Sequence, residues 1–291
     1  MWWKDILIGT TWIARDEQTH DIPAILAAIF FYVVSFIICY VTFRITKLIL
    51  PESIHSLTTE FVKTLLVCTY PYGHGLVRYH YGNIGYFFTA VPLVVLTLSL
   101  FPQGLCSPLS IFVLFLKGQI SLFNLIFRTV IQTLGAFTSY KLAMFVWSFG
   151  VHSEHTKQFH ATLCQTDLNV TVQVGFLLEL LCVAFDTWLG FKKLSKSDLV
   201  DSTIKIANST LMVCLGVHLT GMYLHPAMAS ALTYSCQGSS AFDHIAVYWV
   251  SAFIGCYLGY ILHHKIKITR MDTHDLRHRK MNGSGDTKKS K

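Results

Sequence analysis

Residues 206–242, IANSTLMVCLGVHLTGMYLHPAMASALTYSCQGSSAF, form a run of 37 residues between Lys205 and Asp243 without a formal charge. A second run, 79–116, YHYGNIGYFFTAVPLVVLTLSLFPQGLCSPLSIFVLFL, holds 38 uncharged residues between Arg78 and Lys117. One helix of that length would extend about 55 Å at 1.5 Å per residue, against a hydrocarbon core of about 30 Å, and neither run carries the polar connector that two complete spans need. Each run must therefore cross the bilayer once and re-enter it. Helix-start signals mark the re-entry points: Ser107-Pro108 in the first run and His225-Pro226 in the second. Proline suits the first helical position, where its missing N–H is an orphan donor anyway, and serine is a favoured N-cap. About eight to ten mostly apolar residues follow each signal, enough for a half-helix and too few for a span.

Working outward, Glu60 precedes Pro108 by 48 residues and Glu179 precedes Pro226 by 47. A carboxylate on one span, then a second span, then a half-helix, all occurring twice, is the pattern of an internally duplicated channel or transporter. The repeat also makes the moderately apolar segment 52–77, which holds Glu60 and Lys63, a transmembrane helix. Further spans are expected at about 120–149, 170–191, 206–222 and 245–262. The charge-free stretch 22–43, followed by Arg44 and Lys47 and ended by Pro51, adds a helix at the N-terminal end. The expected fold class is an all-α membrane protein: an inverted repeat of six transmembrane helices plus two re-entrant half-helices, with an extra N-terminal helix. Residues 1–50 would hold the N-terminal tail and additional helix, 51–262 the channel region (repeats at about 51–150 and 168–262), and 263–291 a basic cytosolic tail.

Composition agrees. The 291 residues are 53% hydrophobic and only 13% charged, about half the roughly 25% charge of a soluble globule, and the mean hydropathy is +0.49, so the solvent is a lipid bilayer. The net charge of +7 is concentrated in residues 263–291, where nine Lys or Arg face three Asp. A short basic tail beside a span reflects cytosolic orientation and anionic lipid, which excludes a nucleic-acid partner. Arg44, Lys47, the loop 192–205 and the tail fall on one side, with Lys4, Arg15, Arg78 and Lys157 opposite. No charged or metal constellation converges in the apolar segments, so an enzyme is not expected. Cys39, Cys68, Cys182, Cys214 and Cys256 lie in or beside apolar segments and read as core packers, with no spacing that suggests a disulfide framework. His152, His155, His160 and Cys164 have ligand types for zinc at irregular spacing; the alternative is a simple polar loop. Asn169-Val-Thr171 is a glycosylation sequon abutting a helix. Lys288-Lys289-Ser290-Lys291 resembles a dilysine signal of endoplasmic-reticulum membrane proteins.

The stretch Thr220 to Ala227, followed by Val247-Tyr248-Trp249-Val250 and Gly255, resembles the second half of the aquaporins, whose half-helix signature is Asn-Pro-Ala. Gly118-Gln119-Ile120-Ser121 and Gln132 to Ala136 look like the segments after the first signature, and Glu60 and Glu179 match the family's paired glutamates. The resemblance covers about residues 52–262. Three positions depart from it: Ser107-Pro108-Leu109 replaces one signature, His225 the Asn of the other (His225-Pro226-Ala227), and Met228 stands where most aquaporins carry the filter arginine. With the extra helix and Cys236 eleven residues after His225 as marker, the chain resembles the superaquaporin, subcellular unorthodox branch.

The resemblance implies a passive channel for water or small neutral solutes such as glycerol and hydrogen peroxide. It also implies a homotetramer in the lipid bilayer of an intracellular membrane, with no cofactor. Its selectivity filter would be Phe87 (or Phe88), Val213, Met222 and Met228, an apolar ring without Arg or His. Glu60 and Glu179 would support the re-entrant loops by accepting their backbone N–H groups, with a proton relay as the rival role. A Ser107 hydroxyl and a His225 ring N–H would donate to a passing solute. His225 is either a pH gate or a satisfied, neutral packing histidine. Two other functions stay open: a non-conducting scaffold with the same fold, and a seven-helix receptor, which would lack the internal repeat.

Overall fold

A computed structural model describes residues 22–102 and 104–265. The first 21 residues and the chain from 266 onward, with most of the basic tail and its dilysine ending, lie outside the described residues.

Helix α1 (Ala24–Ile49) is the extra N-terminal element. It runs through the basic turn to its expected end before Pro51: Arg44 and Lys47 fold back over the rings of Tyr40 and Phe43, at 5.9 and 4.7 Å from their centroids, so that turn stays helical. Leu50, forced extended by Pro51 behind it, stops the helix.

Helix α2 (Glu52–Leu100) carries 49 residues and contains the first two spans of the repeat, which the sequence presents separately. Gly82 divides them with φ +65° and ψ −165°, a backbone conformation that only glycine adopts readily. The division is a hairpin. The Tyr70 hydroxyl lies 2.7 Å from Thr97 Oγ1, and Lys63 Nζ donates to the Phe101 carbonyl at 2.9 Å, whereas a straight helix would hold residues 27 apart about 40 Å from each other. Phe101 is fully buried among Phe36, Tyr40 and Phe43, so α1 packs onto this hairpin through an aromatic cluster.

Then come α3 (Pro108–Leu116), α4 (Leu122–Trp147), α5 (Ser153–His160), α6 (Val172–Gly190), α7 (Asp198–Thr220), α8 (Pro226–Thr233) and α9 (Ala241–Lys265), the last with a π-helical turn over Ala246–Val250. Helices α1, α2, α6 and α9 combine the length and apolarity of membrane spans. Helices α4 and α7, of 26 and 23 residues, have the length but carry Arg128 and Lys141, and Asp198, Asp201 and Lys205. Helix α7 begins well before the expected residue 206, because Asp198 and Asp201 suit the positive end of its dipole and Asp201 ties the preceding loop through the N–H groups of Leu194 and Ser195.

The internal repeat is visible in the packing. A Cβ on Gly135 of α4 would sit 2.5 Å from the Phe61 carbonyl, and one on Gly255 of α9 would sit 2.4 Å from the Leu180 carbonyl. Phe61 follows Glu60 and Leu180 follows Glu179. Each glutamate-bearing helix is thus approached, at the same point, by the span that follows its half-helix.

The cysteines correct one expectation. Cys39, Cys68 and Cys256 are buried packers, but Cys164 and Cys236 form a disulfide across 72 residues of sequence. It joins the loop before α6 to the end of α8, where Thr166 N–H also donates to the Gln237 carbonyl at 2.8 Å and Gln237 N–H to the Cys164 carbonyl at 3.0 Å. The zinc reading of His152, His155, His160 and Cys164 fails with it: Cys164 is spent, and no group of three potential ligands converges among the described residues.

Candidate functional site

Both helix-start signals open half-helices. Ser107 caps α3, its Oγ accepting the Leu109 N–H at 3.3 Å, and Pro108 takes the first turn. His225 caps α8: Nδ1 accepts the Met228 N–H at 3.1 Å, and Pro226 and Ala227 follow, both buried. The two starts meet. His225 Nε2 lies 2.6 Å from the carbonyl oxygen of Cys106, the residue before Ser107. An Nδ1 that accepts and an Nε2 that faces a carbonyl fix one tautomer, neutral with the proton on Nε2. The satisfied histidine is therefore the arrangement present, and its N–H, expected to serve a passing solute, is already donated to Cys106. The Ser107 hydroxyl keeps its proton available.

Each loop leading to a half-helix is held from the neighbouring glutamate helix, by different chemistry. In the second repeat Glu179 acts as the sequence suggests. Its Oε1 accepts Thr220 Oγ1 at 2.9 Å and Tyr223 N–H at 3.3 Å, and its Oε2 accepts Leu224 N–H at 3.3 Å. Those bonds hold a turn in which Met222 and Leu224, neither of them glycine, take φ values of 47° and 52°. Such left-handed residues cost about 1–3 kcal/mol each and persist only where surrounding bonds over-determine them. In the first repeat the Glu60 carboxylate also meets the loop backbone, at Leu105, and in addition takes an ion pair from Arg128 Nη1 of α4 at 2.6 Å. The loop is pinned through its carbonyls: Lys63 Nζ donates to Phe101 and Gly104, at 2.9 and 3.2 Å, and Gln132 Nε2 to Leu105 at 3.1 Å. Lys63 was legible as a charge in a span; the role of Arg128 was not, since nothing local ties residue 128 to residue 60.

Beyond the meeting point, toward the face that carries the Gly82 turn and the disulfide, lies a cavity of about 150 Å³. Val213, Met222 and Met228 line it, as the resemblance places them. Phe87 does not line it; its neighbour Tyr86 does, while Phe87 packs edge-on against the outward-facing Phe88. Outside the four positions of the expected apolar ring, the cavity wall also carries His74, Arg78 and Asp167. His74 is oriented by Tyr32 of α1, whose hydroxyl lies 2.6 Å from its Nδ1. Asn169, the sequon residue, is also engaged: Nδ2 donates to the His218 carbonyl at 3.2 Å.

Two capped half-helices that meet within an inverted helical repeat define a membrane channel. The comparisons agree: residues 48–263 match the family described as Major intrinsic protein. The chain belongs to that family, whose members are channels for water or small solutes. It is 24% identical to aquaporin-11 of Milnesium tardigradum over 75% of this chain and 79% of that protein. It is 29% identical to mouse aquaporin-12 over 51% of this chain and 52% of the relative, and 27% identical to human putative aquaporin-12B over 51% of each. The chain thus spans about half the length of the aquaporin-12 relatives it matches. Aquaporin-11 and aquaporin-12 make up the superaquaporin branch, to which this chain is assigned.

Proposed function

We propose that this chain is a passive channel for water and small neutral solutes of the size of glycerol and hydrogen peroxide, acting as a homotetramer in an intracellular membrane, the endoplasmic reticulum. The observation that carries the reading is the pair of proline-rooted half-helices, α3 and α8, brought start to start at His225 and Cys106. Each helix start contributes roughly half a positive charge and unpaired N–H donors, which repels cations and favours neutral hydrogen-bonding molecules. The 150 Å³ cavity beside them supports solutes larger than water, because a cavity of about that size holds a benzene-sized guest. Residues 51–262 form the channel region of this reading, with Ser107, Pro108, Leu109, His225, Pro226 and Ala227 at its centre.

The test is stopped-flow light scattering on vesicles reconstituted with the full chain. Shrinkage and re-swelling under glycerol gradients several-fold faster than in empty vesicles support the channel; rates equal to empty vesicles overturn it. The second reading, a scaffold with a closed pore, is favoured by one specific contact, the His225 ring lying across to the Cys106 carbonyl where a solute would pass. Flux from Ser107→Asn/His225→Asn vesicles, with none from the parent, would support the scaffold.

A further inference from the structure

The cavity wall holds a cation and an anion that the signature positions do not supply. Arg78 sits one turn before Gly82, and Asp167 lies in the loop before α6; both face the cavity lined by Met222 and Met228. Neither takes part in an ion pair among the described residues, so the two charges are not collapsed onto each other. Both are built in. The Gly82 turn of α2, four residues after Arg78, is clasped to α7 by Asn83 Nδ2 donating to the Cys214 carbonyl at 2.9 Å and Cys214 Sγ facing the Asn83 carbonyl at 3.5 Å. Asp167 accepts the Tyr223 hydroxyl, and its loop is fixed three residues earlier by the disulfide at Cys164.

We propose that Arg78 and Asp167 form the specificity-determining charge pair of the outer vestibule. Resting on the channel reading, the pair sorts solutes before the half-helices do. A guanidinium offers five donors and a carboxylate only acceptors. A neutral solute bearing a hydroxyl can accept from one and donate to the other, with its carbon skeleton against Met222 and Met228. A bare cation or anion meets one partner and one repeller. The placement explains how a channel with Met at position 228 keeps a fixed guanidinium at its mouth: the group is carried on α2 rather than beside the second signature.

The test reads the potential inside the vestibule and does not depend on conduction. In the full chain carrying Met228→Cys, modification by a cationic and an anionic methanethiosulfonate is timed and corrected for the native thiols of the parent. A unit charge about 10 Å away at an effective dielectric near 20 changes the local concentration of a monovalent ion about tenfold. Arg78→Gln therefore speeds the cationic reagent and slows the anionic one by about tenfold each. Asp167→Asn does the reverse, the double variant returns to the parent ratio, and Arg78→Lys, which keeps the charge, leaves it. A ratio within twofold of the parent in Arg78→Gln, or an equal shift in Arg78→Lys, overturns the pair. Wild-type vesicles without glycerol flux, beside a ratio that shifts as stated, overturn the channel reading and with it the sorting role, and leave only the charge pair's field in the vestibule.

Discussion

His225→Ala removes two interactions at once, and their sizes can be worked from the structure. Losing the Nδ1 acceptor for the Met228 N–H deletes an N-cap, a loss of about 1 kcal/mol. Losing the Nε2–H leaves the Cys106 carbonyl without its partner, which costs about 1–3 kcal/mol if that oxygen is dry. The sum of about 2–4 kcal/mol lowers the melting midpoint by about 5–15 °C for a domain of this size. His225→Asn separates the two: an Asn oxygen is a good cap, but its side chain is too short to cap and also reach Cys106. The assay is thermal unfolding of purified protein followed by fluorescence-detected gel filtration. Midpoints are expected in the order wild type, His225→Asn, His225→Ala. The gap between wild type and His225→Asn reports the meeting point itself: water in an open pore would satisfy the Cys106 oxygen and shrink the gap toward zero, whereas a dry junction keeps it at several degrees. A His225→Ala midpoint equal to wild type would refute the assignment of both bonds.

Glu179→Gln leaves one amide oxygen where two carboxyl oxygens accepted the Tyr223 and Leu224 N–H groups, while the left-handed turn remains to be held, an expected loss of about 1–3 kcal/mol read as a lower midpoint, with glycerol flux per folded channel unchanged. Flux abolished at full folded yield would favour the proton relay instead. Cys236→Ser opens a bridge spanning 72 residues, which chain entropy values at about 4 kcal/mol; Cys164→Ser should match it, reductant should bring wild type to the same midpoint, and a bridge-free variant as stable as wild type would refute the linkage. His155, on the short helix α5 outside the spans, has its pKa lowered to about 4 by burial and then by neighbouring His152, and packs against Phe31. It is neutral in folded and unfolded chains above about pH 6.5, but between there and 4 only the unfolded chain takes up the proton, so stability falls as pH drops through that window. His155→Phe should flatten that part of the midpoint-against-pH curve; an unchanged slope would show that another group is responsible.

What the sequence made legible was what local chemistry writes. Ser107-Pro108 and His225-Pro226 announce helix starts because caps and proline act within a few residues, and Glu60 and Glu179 stand out because an unexplained carboxylate in a span is costly. The 48- and 47-residue spacings then gave the repeat. Contacts made by distant segments were not legible. Cys164 and Cys236 carry no local mark of pairing; Arg128 resembles any cation in a helix until α4 lies beside Glu60; and Arg78 reads as a loop charge until the Gly82 hairpin turns it toward the cavity. Tyr86 lines the cavity where the resemblance, carried over by spacing, placed Phe87 or Phe88, a difference of one or two positions in helical phase that spacing across a distant relationship does not resolve.

The two halves of the repeat share geometry without sharing electrostatics, and the difference has a direction. Around the first half-helix one carboxylate, Glu60, stands with two cations, Lys63 and Arg128, so the surroundings carry an excess of positive charge in addition to the α3 start. Around the second, Glu179 stands with the Thr220 hydroxyl and two backbone donors, and no cation pairs with it among the described residues, so its carboxyl oxygens face the α8 start without a compensating positive side chain. Breaking a buried ion pair by removing one partner costs about 3–5 kcal/mol, so the Glu60–Arg128 contact is a fixed part of the first half rather than an adjustable one. On the channel reading, a cation approaching from that side would meet this positive excess before it reaches the signatures. From the opposite side it meets Arg78 balanced by Asp167, where entry depends on hydrogen bonding more than on net charge. On the channel reading proposed above, exclusion of ions and choice among neutral solutes would fall to opposite ends of one passage, a division that the near-symmetry of the fold conceals.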